Sequence, residues 1–153
     1  MSKNVIKSSA SPKKISDKDK PKISFYEQHP KWAFQYFDTD NNKYGASRLS
    51  TDLPKVIKWM GSLELQTWSN VLNATSGRKG NTRNHRIPLE KLDSNAVKNY
   101  AGQFIKGLDE FGELYSLAIR SRERLWGVII EGTFCVIWYD PNHEICESTK
   151  RHT

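Results

Sequence analysis

Close to the C-terminal end, the tetrapeptide Asp140-Pro141-Asn142-His143 follows a strand-like run that finishes on Trp138 and Tyr139. An imidazole titrates near neutrality, so His143 is suited to take a proton from a ribose 2′-hydroxyl or to give one to a leaving 5′-oxygen. Asp140 stands where it could orient that ring. A plainer reading remains open beside this one, in which Asp140 is an Asx-type turn former and His143 bonds the turn backbone. Arg120, Arg122 and Arg124 make a second group, with Arg120 and Arg124 at strand ends and Arg122 at the tip between them. Guanidiniums gathered at one turn could clamp a phosphate or stabilise the charge that builds on it during transesterification. They would equally protect an exposed hairpin edge from aggregation.

A third group lies in residues 75–86, which carry Arg78, Lys79, Arg83, His85 and Arg86 with no acidic residue and no large apolar one. Glycines and short polar side chains would let this backbone approach a phosphodiester closely, so we expect a nucleic-acid-binding loop, with simple solvation of a charged loop as the alternative. The stretch lacks the Gly-Lys-Ser/Thr ending of a nucleotide-triphosphate loop. Trp126, Trp138 and Tyr139 offer faces for base stacking, although aromatics in such strands more often form core. His143, Cys146 and His152 lie close together in the sequence, but no second Cys/His pair has finger-like spacing, and no metal or other cofactor is expected.

These groups need elements to hold them. Trp32, Phe34 and Tyr36 alternate within the aromatic stretch 25–37 and predict a first strand. Ser50-Thr51-Asp52 offers cap oxygens ahead of Pro54, predicting a helical region that runs to about residue 73 with Gly61 as its kink or break. A second helix is expected from about residue 93 to 108. Residues 114–120, 124–130 and 133–139 read as strands of a meander, the second pair joined by Glu131-Gly132, which suits a tight hairpin with positive φ at Gly132. Residues 144–146 could return as a short edge strand. The expected fold is α+β: a small curved antiparallel sheet in the order β-α-α-β-β-β with two helices packed on one face.

Composition sets the frame around this. Residues 1–22 hold seven lysines against two aspartates, a net +5 out of the chain's +7, so the remainder is nearly balanced at 17 basic and 15 acidic residues. A Lys/Ser/Pro/Asp stretch with so few large apolar side chains cannot offset its ordering entropy, and we expect a disordered tail ahead of a single domain over 23–153. It could steer the protein toward phosphates or serve only as a solubilising arm. Two cysteines are too few for a secreted disulfide scaffold, and neither a leader nor a long apolar run is evident, so a cytoplasmic protein without membrane contact is expected.

The order of elements, and above all the stretch Arg124-Leu-Trp-Gly-Val-Ile-Ile-Glu-Gly-Thr-Phe-Cys-Val-Ile-Trp-Tyr-Asp-Pro-Asn-His143, resembles the RelE/ParE superfamily of bacterial toxins, in the branch that carries an Arg-x-x-Gly strand, an aromatic strand and a final Asp-x-x-His turn. The resemblance covers about residues 87–146. It implies the toxin of a toxin–antitoxin module, with Arg124 as the motif arginine and Asp140 and His143 in the final turn. RelE-like members are metal-independent endoribonucleases, often acting on messenger RNA in the ribosome; ParE-like members inhibit DNA gyrase and cut nothing. The lysine-rich start and the long stretch between the helices depart from the family pattern. The expected activity is RNA cleavage with His143, Arg124 and Arg120 as catalytic residues, Asp140 and Tyr139 in support, and an antitoxin protein as partner. Gyrase inhibition, or nucleic-acid binding without catalysis, is the alternative.

Overall fold

The computed structural model of the chain describes residues 24–75, 82–106 and 113–146. The meander forms as its strand runs and turns suggest. Strands β3 (Glu113–Ala118), β4 (Arg124–Ile130) and β5 (Thr133–Asp140) pair antiparallel in succession. Glu131 and Gly132 connect β4 to β5 with φ of 49° and 83°, the positive pair that a two-residue hairpin of matching twist requires. The Gly132 carbonyl accepts from Trp68 Nε1 at 2.7 Å, which ties the hairpin to a helix. Gly127 sits at an irregularity of the β4–β5 ladder. A Cβ there would collide with the Cys135 carbonyl, so the close approach of the two backbones accounts for glycine.

Two short strands extend the sheet to the order β1-β5-β4-β3-β2. Strand β1 (Lys31–Ala33) runs parallel to β5, so the sheet is mixed rather than wholly antiparallel as expected. It is also far shorter than 25–37. Ser24 caps a turn of 3₁₀-helix at Phe25–Glu27, and Pro30, which has no N–H to donate, precedes the strand. Strand β2 (His85–Pro88) pairs antiparallel with β3, so His85 and Arg86 lie in the sheet and not in a loop.

Helix α1 (Ala46–Leu63) begins earlier than its apparent cap, at Gly45. Asp52 is drawn instead into a bond from the Tyr139 hydroxyl at 2.7 Å, and Pro54 is accommodated inside the helix on an exposed position. Gly61 stays helical, and the break falls just after Leu63; Thr67 then caps α2 (Trp68–Asn73) by accepting from the Asn70 amide. Helix α3 (Asn95–Lys106) completes the set.

The two helical regions do not share a face. Helices α1 and α2 bury Leu49, Val56, Met60, Trp68 and Val71 against Leu117, Leu125, Ile129, Phe134, Val136 and Tyr139. On the other side, Val97 and Ala101 of α3, with Leu92, cover Leu114, Trp126, Val128, Ile137 and Trp138. The expectation of helices on one face is therefore corrected to a sheet covered on both. The continuous apolar runs of β4 and β5 have this cause, because a strand buried on both faces does not alternate. Among the described residues no helix is long and apolar enough to cross a membrane.

Candidate functional site

Register brings the two ends of the meander together. Arg124 begins β4 directly opposite Asp140, the last residue of β5, and on its other side it faces Ala118 of β3. The arginine hairpin and the turn that carries His143 thus share one end of the sheet. Continuing across, Trp126 faces Ser116, and Ser116 faces His85 of β2. Directly opposed residues in a sheet project to the same side, and so do residues two apart along a strand. His85, Ser116, Ala118, Arg124 and Trp126 therefore occupy the face that α3 covers.

A cleft of about 580 Å³ opens here, lined by Thr82, Arg83, His85, Ala118, Arg120, Ser121 and Arg124. Its far wall is pinned by Asn84. That side chain donates to the Val71 carbonyl at 2.6 Å and accepts from the Ala118 amide at 2.8 Å, while the Arg83 amide donates to the Ala74 carbonyl at 2.9 Å. Thr75 and Thr82 form a bridge beyond it. Sequence reasoning passed over Asn84, since a lone asparagine in a polar stretch reads as a turn former.

Arg124 is the centre of this end. Its Nη1 donates to the Arg120 and Glu123 carbonyls at 2.8 and 2.9 Å, which fixes the guanidinium plane. Its Nε is buried and has no hydrogen-bond partner among the described residues, as is true of Ser116 Oγ and Trp126 Nε1. Three buried donors without partners on neighbouring positions are a departure from the rule that buried polar groups are satisfied. Burial lowers the Arg124 pKa, the Arg83 charge lowers it further, and Asp140 works the other way.

Asp140 shapes the turn. Fully buried, it accepts from the Glu144 amide at 3.0 Å on Oδ1 and from the Ile145 amide at 2.9 Å on Oδ2. These bonds, with the Asp93 amide donating to the Ile145 carbonyl at 3.1 Å, hold residues 144–146 as an irregular segment and not as the expected returning strand. His143 sits inside this loop at φ 59°, a left-handed conformation that costs a residue with a Cβ about 1–2 kcal/mol. Its pKa is lowered by burial first and by the Arg124 charge second; Asp140 and Asp93 oppose the shift and His85 adds to it. Burial and Arg124 likewise lower the His85 pKa, and Thr82 Oγ1 lies 3.5 Å from its Nδ1. Both imidazoles therefore stand within the field of one guanidinium and tend to be neutral near pH 7.

Other sequence candidates separate from this cleft. Arg86 faces Tyr115, whose side chain belongs to the α1–α2 side, so Arg86 and His85 diverge across the sheet. Arg122 is exposed at the hairpin tip and is not one of the residues lining the cleft. Tyr139 is fully buried on the α1–α2 face, its hydroxyl held by Asp52; Lys55 joins Asp52 to Glu123 beside it. Arg78 and Lys79 lie outside the described residues, as do His152 and the lysine-rich segment. Among the described residues no three His, Cys, Asp or Glu side chains gather so as to hold a metal ion. Comparison with protein-family models, with curated proteins and with solved structures finds no match to the chain.

Proposed function

We propose that this protein is the toxin of a toxin–antitoxin module, of the RelE/ParE kind, and that it cleaves messenger RNA without a metal ion. The observation that carries the reading is the cleft in which Arg83, Arg120 and Arg124 meet His85, with His143 inside the same electrostatic field. Guanidiniums supply the positive potential that draws a phosphodiester, and a neutral imidazole is the group that removes a 2′-hydroxyl proton. Attack of that oxygen on phosphorus builds negative charge, which Arg124 and Arg120 meet. The left-handed φ of His143 is compatible with the same reading, because backbone strain clusters at functional sites. A basic cleft of this kind needs covering in the producing cell, and an antitoxin segment with acidic side chains fits it. The proposed site of action is the cytoplasm.

The test is primer extension on a message incubated with ribosomes and the purified protein. New 5′ ends are expected in quantity with wild type and only at a residual rate, about 100-fold lower or less, with His143→Ala or Arg124→Ala. Intact RNA together with blocked gyrase supercoiling would instead select the gyrase-inhibitor class, and intact RNA bound with steep salt dependence would select a binding module.

A further inference from the structure

Two imidazoles at one guanidinium, reached from opposite edges of a sheet end, are a more specific arrangement than a basic cleft with one histidine. We propose that His85 and His143 are an acid–base pair acting on a single phosphate held at Arg124, so that His85 is a catalytic residue and not only an RNA contact. The catalytic half of this rests on the RNA-cleaving reading; the shared anion site beneath it does not.

The placement comes from the sheet. His85 stands on β2 and Arg124 on β4, with β3 between them, and the His143 turn leaves the end of β5 on the far side of Arg124. An anion bound at Arg124 would therefore have His85 on its β2 side and the turn of His143 on its β5 side, and in-line displacement at phosphorus requires base and acid on opposite sides. The Arg124 guanidinium lines the cleft, and its buried Nε has no hydrogen-bond partner among the described residues. Ser116 Oγ and Trp126 Nε1, equally unpartnered, lie on the same face next to His85 and Arg124.

Surrounding charges assign the roles. Around His143 stand Arg124 from β4, Asp140 from β5, Asp93 ahead of α3 and His85 from β2; burial and Arg124 lower its pKa, and the two carboxylates offset part of that lowering. Around His85 the charge felt is that of Arg124, with Arg83 and Arg120 lining the same cleft, and no carboxylate of the described residues is among the causes of its shift. His85 is thus the base and His143 the acid. The 2′-oxygen gives its proton to neutral His85 and bonds to phosphorus; the bond from phosphorus to the 5′-oxygen breaks, and the His143 imidazolium protonates that oxygen. The products are a 2′,3′-cyclic phosphate and a 5′-hydroxyl. No electrons are exchanged with another reactant, and the enzyme ends with its two proton positions interchanged.

The experiment is an NMR titration of the imidazole nitrogens from pH 4.5 to 8.5, with and without inorganic phosphate, run beside a pH profile of RNA cleavage. Phosphate is expected to raise the His85 and His143 pKa values together in wild type and to move neither in Arg124→Gln. The cleavage profile should be bell-shaped, with His85→Ala abolishing its acid limb and His143→Ala its alkaline limb. If phosphate moves one imidazole alone, or moves both equally in Arg124→Gln, the shared site is refuted whatever the RNA result. If both move and RNA is not cut, the anion site stands and the ribonuclease reading falls. If RNA is cut and His85→Ala keeps a bell-shaped profile, the role of His85 as base is overturned while the ribonuclease reading survives.

Discussion

Replacing Asp140 with alanine should unfasten the loop that presents His143. The carboxylate is fully buried and accepts two backbone N–H bonds, from Glu144 at 3.0 Å and from Ile145 at 2.9 Å. A hydrogen bond to a charged group contributes about 1.5–3 kcal/mol. The two losses are unequal in their sequels: Glu144 is partly exposed and water can satisfy its amide, whereas Ile145 is buried and its amide would be stranded. Taking the lower value for Glu144 and the upper for Ile145 gives about 4.5 kcal/mol, a large share of the roughly 5–15 kcal/mol that holds a domain folded. With a urea dependence of about 2 kcal/mol per molar, the midpoint should fall by about 2 M. Asparagine keeps the volume and one acceptor, but turns an NH₂ toward the other amide, so about half that loss is expected. The assay is urea denaturation followed by tryptophan fluorescence, with the His143 pKa measured on each folded variant. Because Asp140 favours the protonated imidazole, its removal should move that pKa further down. An alanine variant within about 0.5 kcal/mol of wild type, a difference ordinary for surface changes, would refute the assignment of the turn to this carboxylate.

Four further outcomes follow from particular contacts. Gly127→Ala should destabilise by several kcal/mol or prevent folding, since its Cβ would enter the Cys135 backbone; a midpoint near that of wild type in urea would contradict the packing. His143→Gly should raise stability by about 1 kcal/mol by relieving the left-handed φ of 59°, while slowing RNA cleavage by about 100-fold or more. A stability loss there would show the imidazole to be a structural member of the turn. Tyr139→Phe should cost about 1–2 kcal/mol through the lost bond to Asp52, read by thermal denaturation; an unchanged Tm would dismiss that bond as a contributor. For pH, His85 and His143 have folded pKa values below their ordinary 6.5, so the folded state binds fewer protons than the unfolded chain as pH falls through that value. Stability should therefore decline on acidification from pH 7 toward 5, and less steeply with phosphate present; a Tm that rises over that interval would contradict the shifts.

Much of the C-terminal half could be read from its residues. The Glu-Gly connection states its own φ requirement, and runs such as Leu125 to Ile130 leave little room for anything but strand. The arginines at one hairpin and the histidine at the far turn were visible as types. That they share one end of the sheet depends on the Arg124–Asp140 register, a long-range fact that no local pattern carries. The side assigned to the helices went astray where a signal existed: unbroken apolar runs in β4 and β5 ask for cover on both faces. His85 was among the candidates, but its place in the sheet was hidden for a different reason. Its strand is four residues long and gains its partner from β3, so tertiary pairing overrode a loop-like composition. Asp52 offered a cap that the fold uses for Tyr139 instead, and Gly45 took the helix start.

The central claim, that the cleft around Arg124 breaks RNA by attack of the 2′-oxygen, is tested most directly by the chemistry of the ends. A message cut in the presence of EDTA should carry 2′,3′-cyclic phosphate on the upstream fragment and 5′-hydroxyl on the downstream one, and a single 2′-O-methyl group at the cut nucleotide should abolish the break there. Cleavage that persists at the 2′-O-methylated position, or ends bearing 5′-phosphate, would contradict the account.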